Sequence, residues 1–105
     1  MFSFQGMGQA ALGAVPALGE ITDQVLFGEV WEREGLGKRE RSLVTVACLL
    51  SLYRPEQLAF HLGVALQNGV TRRELEEVVT HLAFYAGWPA AATGARLLGE
   101  LDAVA

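Results

Sequence analysis

The sequence predicts an all-α subunit of five to six helices. Three observations lead there. Apolar residues recur at helical spacing along most of the chain. Glycines and prolines fall where helices would start and stop. No stretch shows the alternating pattern of a half-buried strand. A length of 105 residues suggests one domain. The expected organisation is an irregular N-terminal arm over residues 1–15 and a single helical domain over 16–105.

The arm is expected to be irregular because Gly6, Gly8 and Gly13 weaken a helix. Pro16 can open the first helix, since its missing N–H would have no helical partner there. Leu18, Ile21, Val25 and Trp31 then recur at roughly helical spacing, and Gly35 and Gly37 end the segment. The second helix is expected over about Lys38 to Tyr53. Between Leu43 and Leu52 its only polar residues are Thr45 and Ser51, with Cys48 behaving as a small hydrophobe. A helix apolar on every side must be covered on every side, either inside the subunit or at an oligomer interface.

Arg54-Pro55 breaks the chain, and Pro55 opens the third helix. Its apolar stripe is Leu58, Leu62, Ala65 and Leu66. Asn68-Gly69 is a stop signal, because both residues tolerate the left-handed conformation. Thr71-x-x-Glu74 reads as a capping box at the start of the fourth helix. Leu75, Val78, Val79, Leu82 and Ala86 form that helix's stripe, and Gly87 closes it. The last helix starts at Pro89 and runs through Leu97, Leu98 and Leu101. Short connections favour antiparallel packing of neighbours.

Composition narrows the partners. The net charge is −4, and the longest basic stretch is Lys38-Arg39-Glu40-Arg41, which is no nucleic-acid footprint. The chain also lacks a basic amphipathic helix for a membrane surface, and Leu43–Leu52 is too short to span one. Met1 to Leu18 lacks the basic start of a signal peptide. A single cysteine, Cys48, rules out a disulfide, a CxxC pair or a multi-cysteine zinc site within this chain, and it suits a reducing cytoplasm. Hydrophobic residues make up 51% and charged residues 19%, an apolar balance that points to a subunit interface.

Four segments, in order, carry a family resemblance. They are Phe27-Gly28-Glu29-Val30-Trp31; Arg41-Ser42-Leu43-Val44-Thr45-Val46-Ala47; His61 with Ala65-Leu66-Gln67-Asn68-Gly69-Val70-Thr71, Glu74 and Glu77-Val78; and His81-Leu82-Ala83-Phe84-Tyr85-Ala86-Gly87-Trp88-Pro89-Ala90-Ala91. This ordered set resembles the carboxymuconolactone decarboxylase family. The resemblance implies an all-α subunit that assembles into rings of three or six. It also implies loss of CO2 from 4-carboxymuconolactone in aromatic-acid catabolism, without a cofactor. The related alkylhydroperoxidase-like branch carries CxxC ahead of a histidine. Counting back from His61, those two positions hold Arg54 and Gln57, so the dithiol is missing.

The candidate catalytic residues are His61, Glu29 and His81. His61 lies within the apolar stripe of its helix, and its pKa suits proton transfer near neutrality. It reads either as a hydrogen-bonded structural histidine or, through the resemblance, as a proton donor. His81 follows Glu77 by four residues; this pair either tunes the imidazole or is an ordinary surface pair. Arg41 either binds a substrate carboxylate with two parallel bonds or pairs with a local acid such as Glu29. Trp31, Tyr85 and Trp88, with Phe84, read as core or interface aromatics, or as pocket walls and hence candidate substrate-binding residues. Cys48 is expected to be a buried, inert thiol. The histidine spacing matches no recognised metal signature, so no metal is expected.

Taken together, the sequence favours a cofactor-independent lyase acting on a small carboxylated lactone. The alternatives are a peroxidase of the alkylhydroperoxidase kind and a non-catalytic small-molecule-binding ring. The missing thiol pair counts against the first of these.

Overall fold

The computed structural model describes residues 3–104. Residues 1 and 2 of the expected arm and residue 105 of the expected domain lie outside that range. The described residues form six α-helices and one π-helical segment, with no strand among them. The chain divides after Lys38 into two compact units.

In the first unit, α1 spans Met7–Leu12 and α2 spans Pro16–Ile21. The glycines pointed to irregular backbone here, but residues 7–12 are helical. Gly8 and Gly19 are both buried, and a Cβ on Gly8 would lie 2.6 Å from the Gly19 carbonyl oxygen. Glycine is used at this position for close approach of two short helices, not for disorder. Pro16 opens α2 as expected.

The helix begun at Pro16 does not continue as α. From Thr22 to Val30 it widens into a π-helix, a rare form. The Trp31 amide accordingly bonds to the Leu26 carbonyl, five residues back, at 3.0 Å. The side chains of this segment contact Phe4, Gly8 and Gln9. The Asp23 carboxylate accepts the Gly8 and Gln9 amides at 2.6 and 3.1 Å, which caps α1 from fifteen residues away. Phe27 stacks on Phe4 with ring centroids 4.0 Å apart, and Trp31 lies 4.9 Å from the same ring. Asp23, Phe27 and Trp31 are spaced by four residues and share one face of the segment. Leu18, Ile21 and Val25, expected as an apolar stripe, are exposed, whereas Trp31 is buried.

In the second unit, α3 spans Lys38–Ser51, α4 Pro55–Gln67, α5 Arg72–Ala86 and α6 Trp88–Val104. Local signals set these limits. Tyr53 takes a left-handed φ of 58° at the end of α3, and the Arg54 amide closes back on the Leu49 carbonyl at 2.9 Å. That is an αL stop formed without glycine. Pro55 is the first residue of α4, and Gly69 follows its end at φ 97°. The capping box forms in both directions: the Thr71 hydroxyl accepts the Glu74 amide at 3.0 Å, and the Glu74 carboxylate accepts the Thr71 amide at 2.9 Å.

The core of this unit collects Val46 and Leu50 from α3, Leu58 and Leu62 from α4, Leu75 and Val79 from α5, and Leu97 and Leu98 from α6. Helix α6 packs on both α4 and α5. Helices α3 and α5 run side by side in parallel. Arg39 pairs with Glu74, 35 positions on. At the same offset, Leu43 shares a groove with Val78, and Ala47 shares one with Leu82.

Within one chain, Val44 of α3 and Leu52 just beyond its end are more than half exposed, so of the two positions expected for this helix the subunit centre is excluded. One expectation needs correction. Cys48 is exposed rather than buried. The reason is rotation about the helix: Val46 and Leu50 face the core, and a residue midway between them points the opposite way. Leu66 likewise lies outside the buried stripe of α4. Among the described residues, no helix is long and apolar enough to cross a membrane.

Candidate active site

Helix α4 positions His61. It precedes Leu62 and lies four residues before Ala65, both fully buried, so helical spacing turns its ring toward the interior. The residue as a whole is half-buried, and its Nδ1 is buried. The Phe60 ring stands edge-on to the imidazole, with centroids 5.1 Å apart. Burial pushes the His61 pKa below the usual histidine value of 6.5, because removing water penalises the charged ring. Burial therefore favours the neutral imidazole.

Arg41 lies in the first turns of α3 and is half-buried. Its carbonyl accepts the Thr45 hydroxyl at 2.7 Å, a bond made within the helix by the backbone of Arg41 and not by its guanidinium. Beside it, Ser42 is wholly buried and Asn68 nearly so. The sequence marks Asn68 as a capping residue alone. Its φ of −88° and ψ of 8° are not left-handed, and its side chain turns inward to bond Ser42. The signal that could have flagged this pair is the spacing of Ser42, which stands four and eight residues before Val46 and Leu50 on the buried face of α3.

His81 occupies a different surface. It is exposed on α5, and its ring centroid lies 4.9 Å from that of Tyr85. With Ala47, Glu77, Val78 and Leu82 it lines a groove of about 280 Å³ between α3 and α5. His61 and Arg41 do not line this groove. Tyr85 and Trp88 are also largely exposed, at 78% and 63%, and Trp88 meets Phe84 edge-on at 5.2 Å. Glu29 and Trp31 belong to the first unit. Glu29 is exposed at the end of the π-helical segment, and Trp31 is packed against Phe4. Among the described residues, no cluster of three or more His, Cys, Asp or Glu could hold a metal ion.

Comparison with known proteins gives the family. A model of the carboxymuconolactone decarboxylase family matches residues 16–100. The chain belongs to this family. It is 45% identical over 75 residues to the 4-carboxymuconolactone decarboxylase of Acinetobacter baylyi, covering 71% of this chain and 56% of that protein. It is 37% identical over 70 residues to the nitrosuccinic acid decarboxylase of Metarhizium robertsii, covering 67% of this chain and 49% of that protein. The chain thus spans about half the length of the curated relatives it matches. Both relatives are named as decarboxylases.

Proposed function

We propose that this chain is a cofactor-independent carboxy-lyase acting on a small carboxylated lactone of the 4-carboxymuconolactone type, in aromatic-acid catabolism. The observation that carries the reading is the half-buried imidazole of His61, on α4 of a chain that matches decarboxylases and holds no dithiol.

In this reading Arg41 binds a substrate carboxylate through paired N–H donors. The bond between the ring carbon and the departing carboxylate breaks, and CO2 leaves. The electron pair passes into the lactone's conjugated carbonyl, giving a dienolate. Protonated His61 then donates to carbon and later recovers a proton from solvent. Burial alone favours the neutral ring. An anionic substrate beside it raises the imidazole pKa again, so the ring takes up its proton as the substrate binds. His81, Glu29, Trp31, Tyr85 and Trp88 remain candidates for supporting roles, with His81 the next proton donor after His61.

We place the active form in a homo-oligomer, a trimer or hexamer, in the cytoplasm. Exposed Val44 and Cys48 on α3, Leu52 just after it, and Phe84, Tyr85 and Trp88 around the start of α6 support assembly. The peroxidase alternative is weaker: Cys48 is accessible, but this chain holds no second thiol to resolve it. Incubation with 4-carboxymuconolactone while following CO2 release tests the activity. Binding of the lactone without turnover would favour a non-catalytic ring instead.

A further inference from the structure

Two polar side chains are sealed into the apolar interior of the second unit. Ser42 is fully buried, and Asn68 is 7% exposed. The Asn68 Nδ2 donates to the Ser42 hydroxyl oxygen at 3.1 Å, and the Asn68 Oδ1 is buried as well. Burying an amide and a hydroxyl is unfavourable, and one hydrogen bond between them does not use all of their capacity. An apolar pair of similar size would cost less. The chain stop at this point does not require asparagine either, since the left-handed turn falls on Gly69.

The placement of the pair suggests its use. Ser42 directly follows Arg41 on α3. Asn68 ends α4 seven residues beyond His61, two helical turns along the same face. The bond therefore ties the turn that carries Arg41 to the helix that carries His61. Apolar contacts are non-directional, whereas a hydrogen bond weakens steeply when bent or stretched. We propose that Ser42 and Asn68 are positioning residues, whose buried bond sets the Arg41 anchor relative to His61. This rests on the reading of Arg41 and His61 given above.

The test compares wild type, Arg41→Lys, His61→Asn and the double variant Ser42→Ala/Asn68→Leu, following CO2 release from 4-carboxymuconolactone. The double variant removes both polar groups and leaves no orphan, so it is expected to fold and to melt close to wild type. Its KM should rise by on the order of tenfold, within the ~10²-fold that a misplacement of about 1 Å can cost. Its kcat should fall less, because the anchor acts in binding. Adding Arg41→Lys to the double variant should then raise KM by less than it does in wild type, since the anchor is already displaced. Should the double variant not fold, Ser42→Ala alone carries the same comparison. Wild-type kinetics in a folded variant, while Arg41→Lys still raises KM, would overturn the positioning role. No turnover by wild type, or unchanged turnover in Arg41→Lys and His61→Asn, would instead show that the reading of the site had failed, and the proposal would fall with it.

Discussion

Gly94 of α6 lies so close to Leu50 of α3 that a Cβ at position 94 would come within 2.9 Å of Leu50 Cδ1, and within 3.3 Å of Val79 Cγ2. Three helices of the second unit meet at this glycine. Leu50 is 1% exposed, so it has little room to withdraw.

Gly94→Ala therefore sets two effects against each other. Replacing a helical glycine by alanine gains about 1 kcal/mol of helix propensity, whereas overpacking a filled core costs roughly 1–3 kcal/mol. The steric term should win, and Gly94→Val should be worse. Gly99, on the same helix, is exposed, and a Cβ there would meet nothing within 4 Å. Gly99→Ala should stabilise by about 0.5–1 kcal/mol. Urea unfolding of the three variants checks this. Gly94→Ala as stable as Gly99→Ala would show that the helices can part at little cost.

The capping box of α5 gives a pH-dependent contribution. The Glu74 pKa is depressed, first by the Thr71 amide bonded to its carboxylate and then by Arg39. A carboxylate whose folded pKa lies below its unfolded value adds stability above the unfolded pKa, and that stability is lost as pH falls through the folded pKa. Unfolding measured from pH 7 down to pH 3 should show a shallower acid decline in Glu74→Gln than in wild type. Thr71→Ala should cost about 1 kcal/mol at pH 7. An unchanged acid limb in Glu74→Gln would remove this group from the pH response.

Burial makes His61 a second acid-sensitive group. Its folded pKa lies below 6.5, so the unfolded chain binds the proton more readily. The stability linked to the neutral ring is present above the unfolded pKa and is lost as pH falls through the folded one. NMR titration of the imidazole should give a midpoint below the usual value in the free protein. Under the proposed mechanism, kcat/KM should decline as pH rises above that midpoint, and the limb in kcat should lie higher, since substrate raises the pKa. His61→Asn should lose about 10²–10⁴-fold in activity while remaining folded. Near-normal turnover in that variant would pass the role to His81.

Assembly should show at the exposed face of α3. Sedimentation at micromolar concentration should give a species larger than a monomer, and Val44→Glu with Leu52→Glu should shift it toward monomer. Native Cys48, exposed in the single chain, should react with a thiol reagent more slowly as protein concentration rises. A monomer at every concentration would leave the apolar face without the partner proposed for it.

Much of the second unit is legible in the sequence. Pro55, Gly69, the Thr71–Glu74 box and Gly87 act within a turn of their own positions, and the helix limits follow them. His61 stands out from its place in the α4 stripe and from the ordered family segments. The Ser42–Asn68 bond does not, because it joins residues 26 apart that carry no shared periodic mark. The exposure of Cys48 is hidden for a related reason: a helix apolar on all faces does not say which face meets the core.

The sequence by itself determined the all-helical class, the limits of the four helices in the second unit and the family, since each depends on local backbone preference or on an ordered set of residues. Only the tertiary structure decided the rest. Asp23 reaching back to cap α1, the glycine contact between α1 and α2, the π-helical stretch from Thr22 to Val30, and the burial that lowers the His61 pKa were not legible in the sequence pattern. Periodicity records which residues share a helix face. It does not record what that face meets, and for His61 that meeting is what lowers the pKa.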